Sequence, residues 1–187
     1  MSDSGIKAAL DRFVQKFNQL HTDAPLIPYN AQWPSDCYQE NAAEGTLVRW
    51  RPTPQRKTND MFIRIGEALE ESIHPDVEAF YSQYWSDPLP ATCHDGDLSL
   101  IQAWNSEDME RLRSNLVGHA LSKRQQKRPL TFFIACTEPD DDYFISVDNY
   151  SGEIWLETPG KPPIRKLADN LSTFLLSVEP RKIKDME

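Results

Sequence analysis

Residues 131–157 read TFFIACTEPDDDYFISVDNYSGEIWLE, and this stretch decides the fold. Residues 131–136 form a continuous apolar run. Residues 143–147 (YFISV) and 153–157 (EIWLE) are rich in β-branched and aromatic side chains, and Asn149-Tyr150-Ser151-Gly152 between them is turn chemistry. A strand followed by a hairpin predicts an antiparallel sheet. Upstream, residues 98–104 (LSLIQAW) read as another strand, and Asn105 or Ser106 caps a helix running to about residue 125. Downstream, Leu167, Leu171, Phe174, Leu175 and Val178 mark a closing helix, with Pro180 just beyond.

The N-terminal half reads as helices with irregular connections. Ile6, Ala9, Leu10, Phe13, Val14, Phe17 and Leu20 recur every three or four residues, which predicts an amphipathic helix over 6–20 capped by Ser2, Asp3 or Ser4. Residues 21–46 are proline-punctuated, and residues 47–50 form a short strand ended by Pro52 and Pro54. Residues 61–71 look helical. His74-Pro75 interrupts them and starts a second helix through about residue 85, because proline suits a first helical turn. Helices, then a mostly sequential antiparallel sheet, then a final helix, predict an α+β fold. At 187 residues the chain reads as a single domain over 1–187, with short polar extensions at both termini.

Composition narrows the function classes. No run of about 18 apolar residues exists to cross a membrane. The start, MSDSGIKAALDRF, lacks the apolar core of a signal peptide. Cys37, Cys93 and Cys136 are far apart with no CxxC pair, which argues against a disulfide framework or a zinc cage and for a reducing cytoplasm.

Charge is the most informative feature. Between Asp60 and Glu110 stand twelve acids and one base, Arg64, while residues 111–128 carry six bases and no acid. Such an acidic surface repels phosphate backbones and anionic lipid and attracts basic partners. Part of the polarity has a structural explanation. Glu107, Asp108 and Glu110 open the long helix, and Lys123, Arg124, Lys127 and Arg128 close it, complementing its macrodipole. Nine acids remain between Asp60 and Asp97, among them Glu67, Glu70, Glu71, Asp76, Glu78, Asp95 and Asp97. They read either as a solvated helical face or as a surface that receives a basic segment. The scarcity of lysine among them favours the second. Tyr81 and Trp85 lie one step round the helix from Phe80 and Tyr84 and read as partly exposed aromatics beside those carboxylates, or as residues packed on the sheet.

Catalytic and metal patterns are weak. Cys93-His94-Asp95 lacks a second ligand pair at zinc spacing. Asp140-Asp141-Asp142 lacks the glycine and closing glutamate of a calcium loop and reads as a solvated turn. Cys93 with His119, and Asp97 with Glu107, are formal catalytic pairs without a supporting signature. No phosphate-cradling loop is present. These readings point to no enzyme, no cofactor, no metal, no nucleic acid and no small-molecule substrate.

Several segments together resemble a known family. They are the run Gly96-Asp97-Leu98-Ser99-Leu100-Ile101-Gln102-Ala103-Trp104, then Ser106-Glu107-Asp108, then Asn115-Leu116-Val117-Gly118-His119. Phe133-Ile134-Ala135, Ile145-Ser146-Val147, Ser151-Gly152-Glu153, His74-Pro75 with Phe80-Tyr81, Pro34-Ser35 with Cys37, and Asn170-Leu171 continue the match in order. The chain resembles the Syd family of SecY-interacting proteins, of the SUKH type. The resemblance implies a single-domain SUKH-like fold and a non-enzymatic protein. It implies peripheral association with the cytoplasmic face of the bacterial inner membrane through SecY of the SecYEG translocon, and a part in monitoring translocon assembly. It also implies an acidic concave surface for SecY's cytoplasmic loops, which are basic by the positive-inside bias. Glu67, Asp97, Glu107 and Asp108 fall where the family is expected to be acidic. Glu70, Glu71, Asp76, Glu78 and Asp95 are acids of this sequence added to them as partner-binding residues, with Tyr81 and Trp85. The alternative is a SUKH-type immunity protein that neutralises a basic toxin. The basic tail Arg181-Lys182-Ile183-Lys184 reads as lying outside the family core.

Overall fold

The computed structural model describes residues 2–139 and 142–183, with residues 2–4 as backbone alone. The turn at Asp140-Asp141 and the Lys184 end of the basic tail lie outside the described residues.

Helix α1 (Ser2–Leu20) buries the stripe Ile6, Leu10, Phe13, Val14 and Phe17, as its periodicity requires. It begins earlier than residue 6, so Asp3 and Ser4 lie within it rather than capping it. That polar first turn has no apolar residue for periodicity to mark. Strands β1 (Leu26–Pro28) and β2 (Leu47–Arg49) pair antiparallel as a small separate sheet. A short β3 (Thr53–Pro54) precedes helices α2 (Met61–Leu69) and α3 (Pro75–Tyr81), and β4 (Tyr84–Trp85) pairs back onto β3.

The remaining elements are β5 (Leu89–Cys93), β6 (Gly96–Leu100), α4 (Ser106–Gln125), β7 (Thr131–Glu138), β8 (Phe144–Asp148), β9 (Ile154–Glu157), β10 (Arg165–Ala168), α5 (Leu171–Ser177) and β11 (Glu179–Pro180). Seven strands form one antiparallel sheet in the order β10-β9-β8-β7-β6-β5-β11. The chain is therefore α+β, with a sequential meander packed by helices. Buried side chains from α1 to α5 form one contiguous core.

Three readings are corrected. The second helix of the acidic region ends at Tyr81, and Trp85 is in a strand. Gln55 fixes this break, since its Nε2 donates to the carbonyls of Tyr81 and Tyr84, both at 2.9 Å. Strand β5 contains Pro90, a residue disfavoured in strands, and the sequence pattern marks no strand there. Strands β10 and β11 are short and polar, and are defined by their partners rather than by their own pattern.

The β8–β9 turn does more than reverse the chain. Asp148 Oδ1 accepts from the amides of Tyr150 and Ser151 at 2.9 and 2.8 Å, and Gly152 takes φ 75°. A Cβ at Gly152 would stand 2.7 Å from His74 Nε2. Asn149 accepts from the His74 amide at 2.8 Å and donates to the Ser72 carbonyl at 2.9 Å. The turn thus clamps the elbow between α2 and α3.

Helix α4 is fixed from its far end. Lys123, 5% exposed, donates to Glu157, which is fully buried on β9. Glu157 also accepts from Thr131 Oγ1 at 2.7 Å and from Ser146 Oγ. Because the Thr131 hydroxyl proton points to Glu157, His119 Nε2, 3.1 Å from that oxygen, donates to it. Burial and the nearby Lys123 charge hold the His119 pKa below its ordinary value. Lys123 is therefore not a solvated helix-end charge but half of a desolvated pair. Breaking such a pair costs about 3–5 kcal/mol, whereas an apolar replacement of both partners costs far less. Urea denaturation should show Lys123→Met strongly destabilised and Lys123→Met with Glu157→Leu substantially recovered.

Candidate functional site

The folded chain sorts its acids by whether a cation neutralises them. Asp60 and Glu110 share Arg64, and Glu110 also meets Arg113; hydrogen bonds from Arg64 and then Arg113 hold the Glu110 pKa down to about 2. Asp108 pairs with Arg111 at 2.8 Å and accepts the Trp104 amide at 2.9 Å. Asp95 pairs with Arg165, and Asp97 lies 3.5 Å from Arg181. Glu71 lies 3.3 Å from Arg124. Asp76 is buried beside His74, 3.8 Å away. Within the tract from Asp60 to Glu110, Glu67, Glu70, Glu78, Asp87 and Glu107 have no cationic partner among the described residues. Exposed ion pairs add little stability, but pairing cancels the field that a partner would feel, so these five carry the surplus.

Three of the five meet in one place. Helix α2 ends with Glu70 in the left-handed region at φ 51°, and the chain then turns into α3. This elbow forms an open groove of about 530 Å³, lined by Glu67, Glu70, Glu71 and Glu78 with Phe62, Ile63 and Ile73. Ile63 is 63% exposed, so the groove combines an apolar ridge with four carboxylates. Arg64 ties α2 to Glu110 of α4, and Arg124 donates to the Leu69 carbonyl at the groove's end.

A second concavity of about 680 Å³ opens on another face of α4. Asp108, Arg111, Leu112 and Asn115 line it, whereas Glu110 and Arg113 face α2. At about 3.6 residues per turn these sets stand on opposite sides of the helix. The segment from Ile27 to Gly45 supplies the facing wall, including Trp33 and Tyr38. Local bonds hold that wall on α4: Asn105 donates to the Pro34 carbonyl at 2.8 Å, and Ser35 Oγ to the Trp104 carbonyl at 2.6 Å. Asp87 lines the cleft, its pKa pushed up to about 6 by burial and by the Asp108 charge.

The sequence-level candidates thus fall into separate places. Glu67, Glu70, Glu71 and Glu78 share the α2–α3 groove, and Asp108 lines the cleft. Asp95 and Asp97 line a third hollow at the β5–β6 turn with Arg165. Glu107 is exposed at the start of α4. Two placements are corrections. Tyr81 is fully buried, its hydroxyl donating to the Phe133 carbonyl at 2.7 Å and its ring stacked on Phe62, so it offers no surface to a partner. Asp76, 4% exposed, belongs to the start of α3 and not to the outer face. Trp85 is partly buried against the core. The formal catalytic pair is not assembled: Cys93 lines the β5–β6 hollow, and His119 a different cavity beside Lys123. Among the described residues no group of three His, Cys, Asp or Glu side chains could hold a metal. Asp87 is one of the nine acids of the tract, but no pattern in the sequence sets it apart from the others.

A sequence model described as Syd protein (SUKH-2) matches residues 4–180, from the first turn of α1 to β11. The chain belongs to the Syd family. It is 42% identical over 182 residues to Protein Syd of Pseudoalteromonas atlantica, covering 95% of this chain and 97% of that protein. Protein Syd of Hahella chejuensis is 40% identical over 172 residues, covering 90% and 88%. Protein Syd of Alteromonas mediterranea is 36% identical over 176 residues, covering 94% and 96%. Both acidic concavities of this Syd-family chain lie within the matched span.

The Asp87 pKa has a direct consequence. It is raised in the folded state, so the folded chain holds a proton that the unfolded chain has lost between the ordinary aspartate range and about pH 6. This contribution lowers stability as pH rises through that window. Asp87→Asn should raise the melting temperature at pH 7.5 and leave it nearly unchanged at pH 4, as read by differential scanning calorimetry.

Proposed function

We propose that this Syd-family chain is a non-enzymatic binding protein that docks on basic cytoplasmic loops of SecY in the SecYEG translocon. It associates peripherally with the cytoplasmic face of the bacterial inner membrane and monitors translocon assembly. The observation that carries this reading is the α2–α3 groove, where Glu67, Glu70 and Glu78 stand together without a cationic partner among the described residues. Opposed charge of this kind steers encounter, raising association rates at low ionic strength and suppressing anionic partners. The exposed Ile63 supplies apolar contact once a basic segment is in place. Among the described residues no helix is long and apolar enough to cross a membrane.

The test uses the full chain and SecYEG proteoliposomes, with binding read by co-sedimentation. Glu67→Lys with Glu70→Lys should weaken binding at least tenfold, ~1.4 kcal/mol, and binding by the unmodified chain should fall steeply between low salt and about 0.5 M salt. The same charge change at exposed Asp23 and Asp169 should have a much smaller effect. Equal losses from both double variants would reduce the groove to net charge alone, and salt-independent binding would end the electrostatic reading.

A further inference from the structure

We propose that the cleft between α4 and the segment from Ile27 to Gly45 is a socket for an extended peptide bearing an arginine. The arginine's guanidinium meets Asp87, and the peptide's main-chain amide pairs with Gln102. Gln102 is 5% exposed and lines this cleft, yet both of its side-chain amide atoms lack a hydrogen-bond partner. Leaving a buried donor and a buried acceptor unmet costs about 1–3 kcal/mol each. An unmet buried polar group calls for a partner, and Gln102 stands on the wall of the cleft where a ligand reaches it. One donor and one acceptor on a single planar amide are the complement of a peptide unit, which offers an N–H and a C=O.

The charge at the mouth selects the side chain. The Asp87 carboxylate has no hydrogen-bond or ion-pair partner among the described residues, and its burial beside Asp108 disfavours the bare charge, so a cation there relieves a cost already present. The neighbouring Asp108 does not compete for it, because Arg111 and the Trp104 amide already occupy its two oxygens. The walls are aromatic: Tyr38 packs edge-on to Trp104 at 5.1 Å, and Trp33 carries the Arg111 guanidinium 5.5 Å from its ring centre. The cleft thus already seats one guanidinium, paired with a carboxylate and stacked on an indole. A second arginine finds the same chemistry at Asp87. Lysine, a compact and strongly hydrated point charge, uses neither the planar stacking surface nor the forked donors. Nucleic acid and anionic lipid are opposed by Glu44, Asp87 and Asp108. The cleft and the α2–α3 groove stand on opposite sides of α4, so this inference stands independently of the groove's role.

The test is a titration of the full chain with a short capped glycine peptide holding one central arginine, beside its lysine and citrulline counterparts. Indole Nε1–H signals of Trp33 and Trp104 are read by NMR. Arginine should shift both signals and bind at least tenfold tighter than citrulline, with lysine between. Asp87→Asn should reduce the arginine peptide to the citrulline level, and Gln102→Leu should weaken all three peptides alike. The α2–α3 double variant should bind as the unmodified chain does. An arginine response no larger than that of citrulline, or one that survives Asp87→Asn in a variant whose circular dichroism is unchanged, overturns the proposal. Neither result depends on whether SecYEG binds, so the two readings fail separately.

Discussion

The ion pair of Lys123 with Glu157 fixes helix α4 to the sheet, and both acidic concavities are built against that helix. The pair is desolvated at both ends and braced by Thr131, Ser146 and His119. A hydrophobic pair would hold the helix as firmly, but the directional bonds to Glu157 also set its height and rotation. From that setting follows which residues face α2, namely Glu110 and Arg113, and which face the Trp33 wall, namely Asp108 and Arg111. The clamp of the β8–β9 turn on His74 does the same for the α2–α3 elbow. Surface charge in this chain is thus placed by buried polar contacts on the opposite layer.

The acidic tract divides once folded. About half of its carboxylates are spent on arginines, several of which arrive from distant sequence: Arg165 on β10 reaches Asp95, Arg181 reaches Asp97, and Arg124 reaches Glu71. What remains unpaired gathers mainly at α2–α3 and in the cleft. Long-range attraction belongs to the unpaired set. The paired set contributes local order at element ends and is largely silent at distances beyond the Debye length.

The sheet was legible because its strands carry their own pattern: residues 132–136 are apolar, and the 143–157 hairpin has the sequence of a tight turn. Helix α4 was legible from its Asn105 cap and its charge gradient. The strands that escaped are those whose pairing comes from elsewhere. Leu89–Cys93 contains Pro90, a residue disfavoured in strands, and Glu179–Pro180 exists only through Ala91 and Thr92. The groove acids were visible as a surplus, because nine acids between Asp60 and Asp97 stand against one base, Arg64. Their separation from Asp95 and Asp97 was not visible, because it depends on arginines up to some eighty residues away. Tyr81 illustrates the same limit: helical spacing placed it beside the stripe, and only the approach of Phe133 shows it to be core.

The central claim is that the unpaired acids on α2–α3 form the surface that meets SecYEG. Hydrogen–deuterium exchange with and without SecYEG tests it most directly, since it reads every segment at once. The proposed docking predicts slower exchange at Met61–Leu69 and Pro75–Tyr81 on binding, with β9, β10 and α5 unchanged. Protection confined to β9, β10 and α5, or protection nowhere, would contradict it.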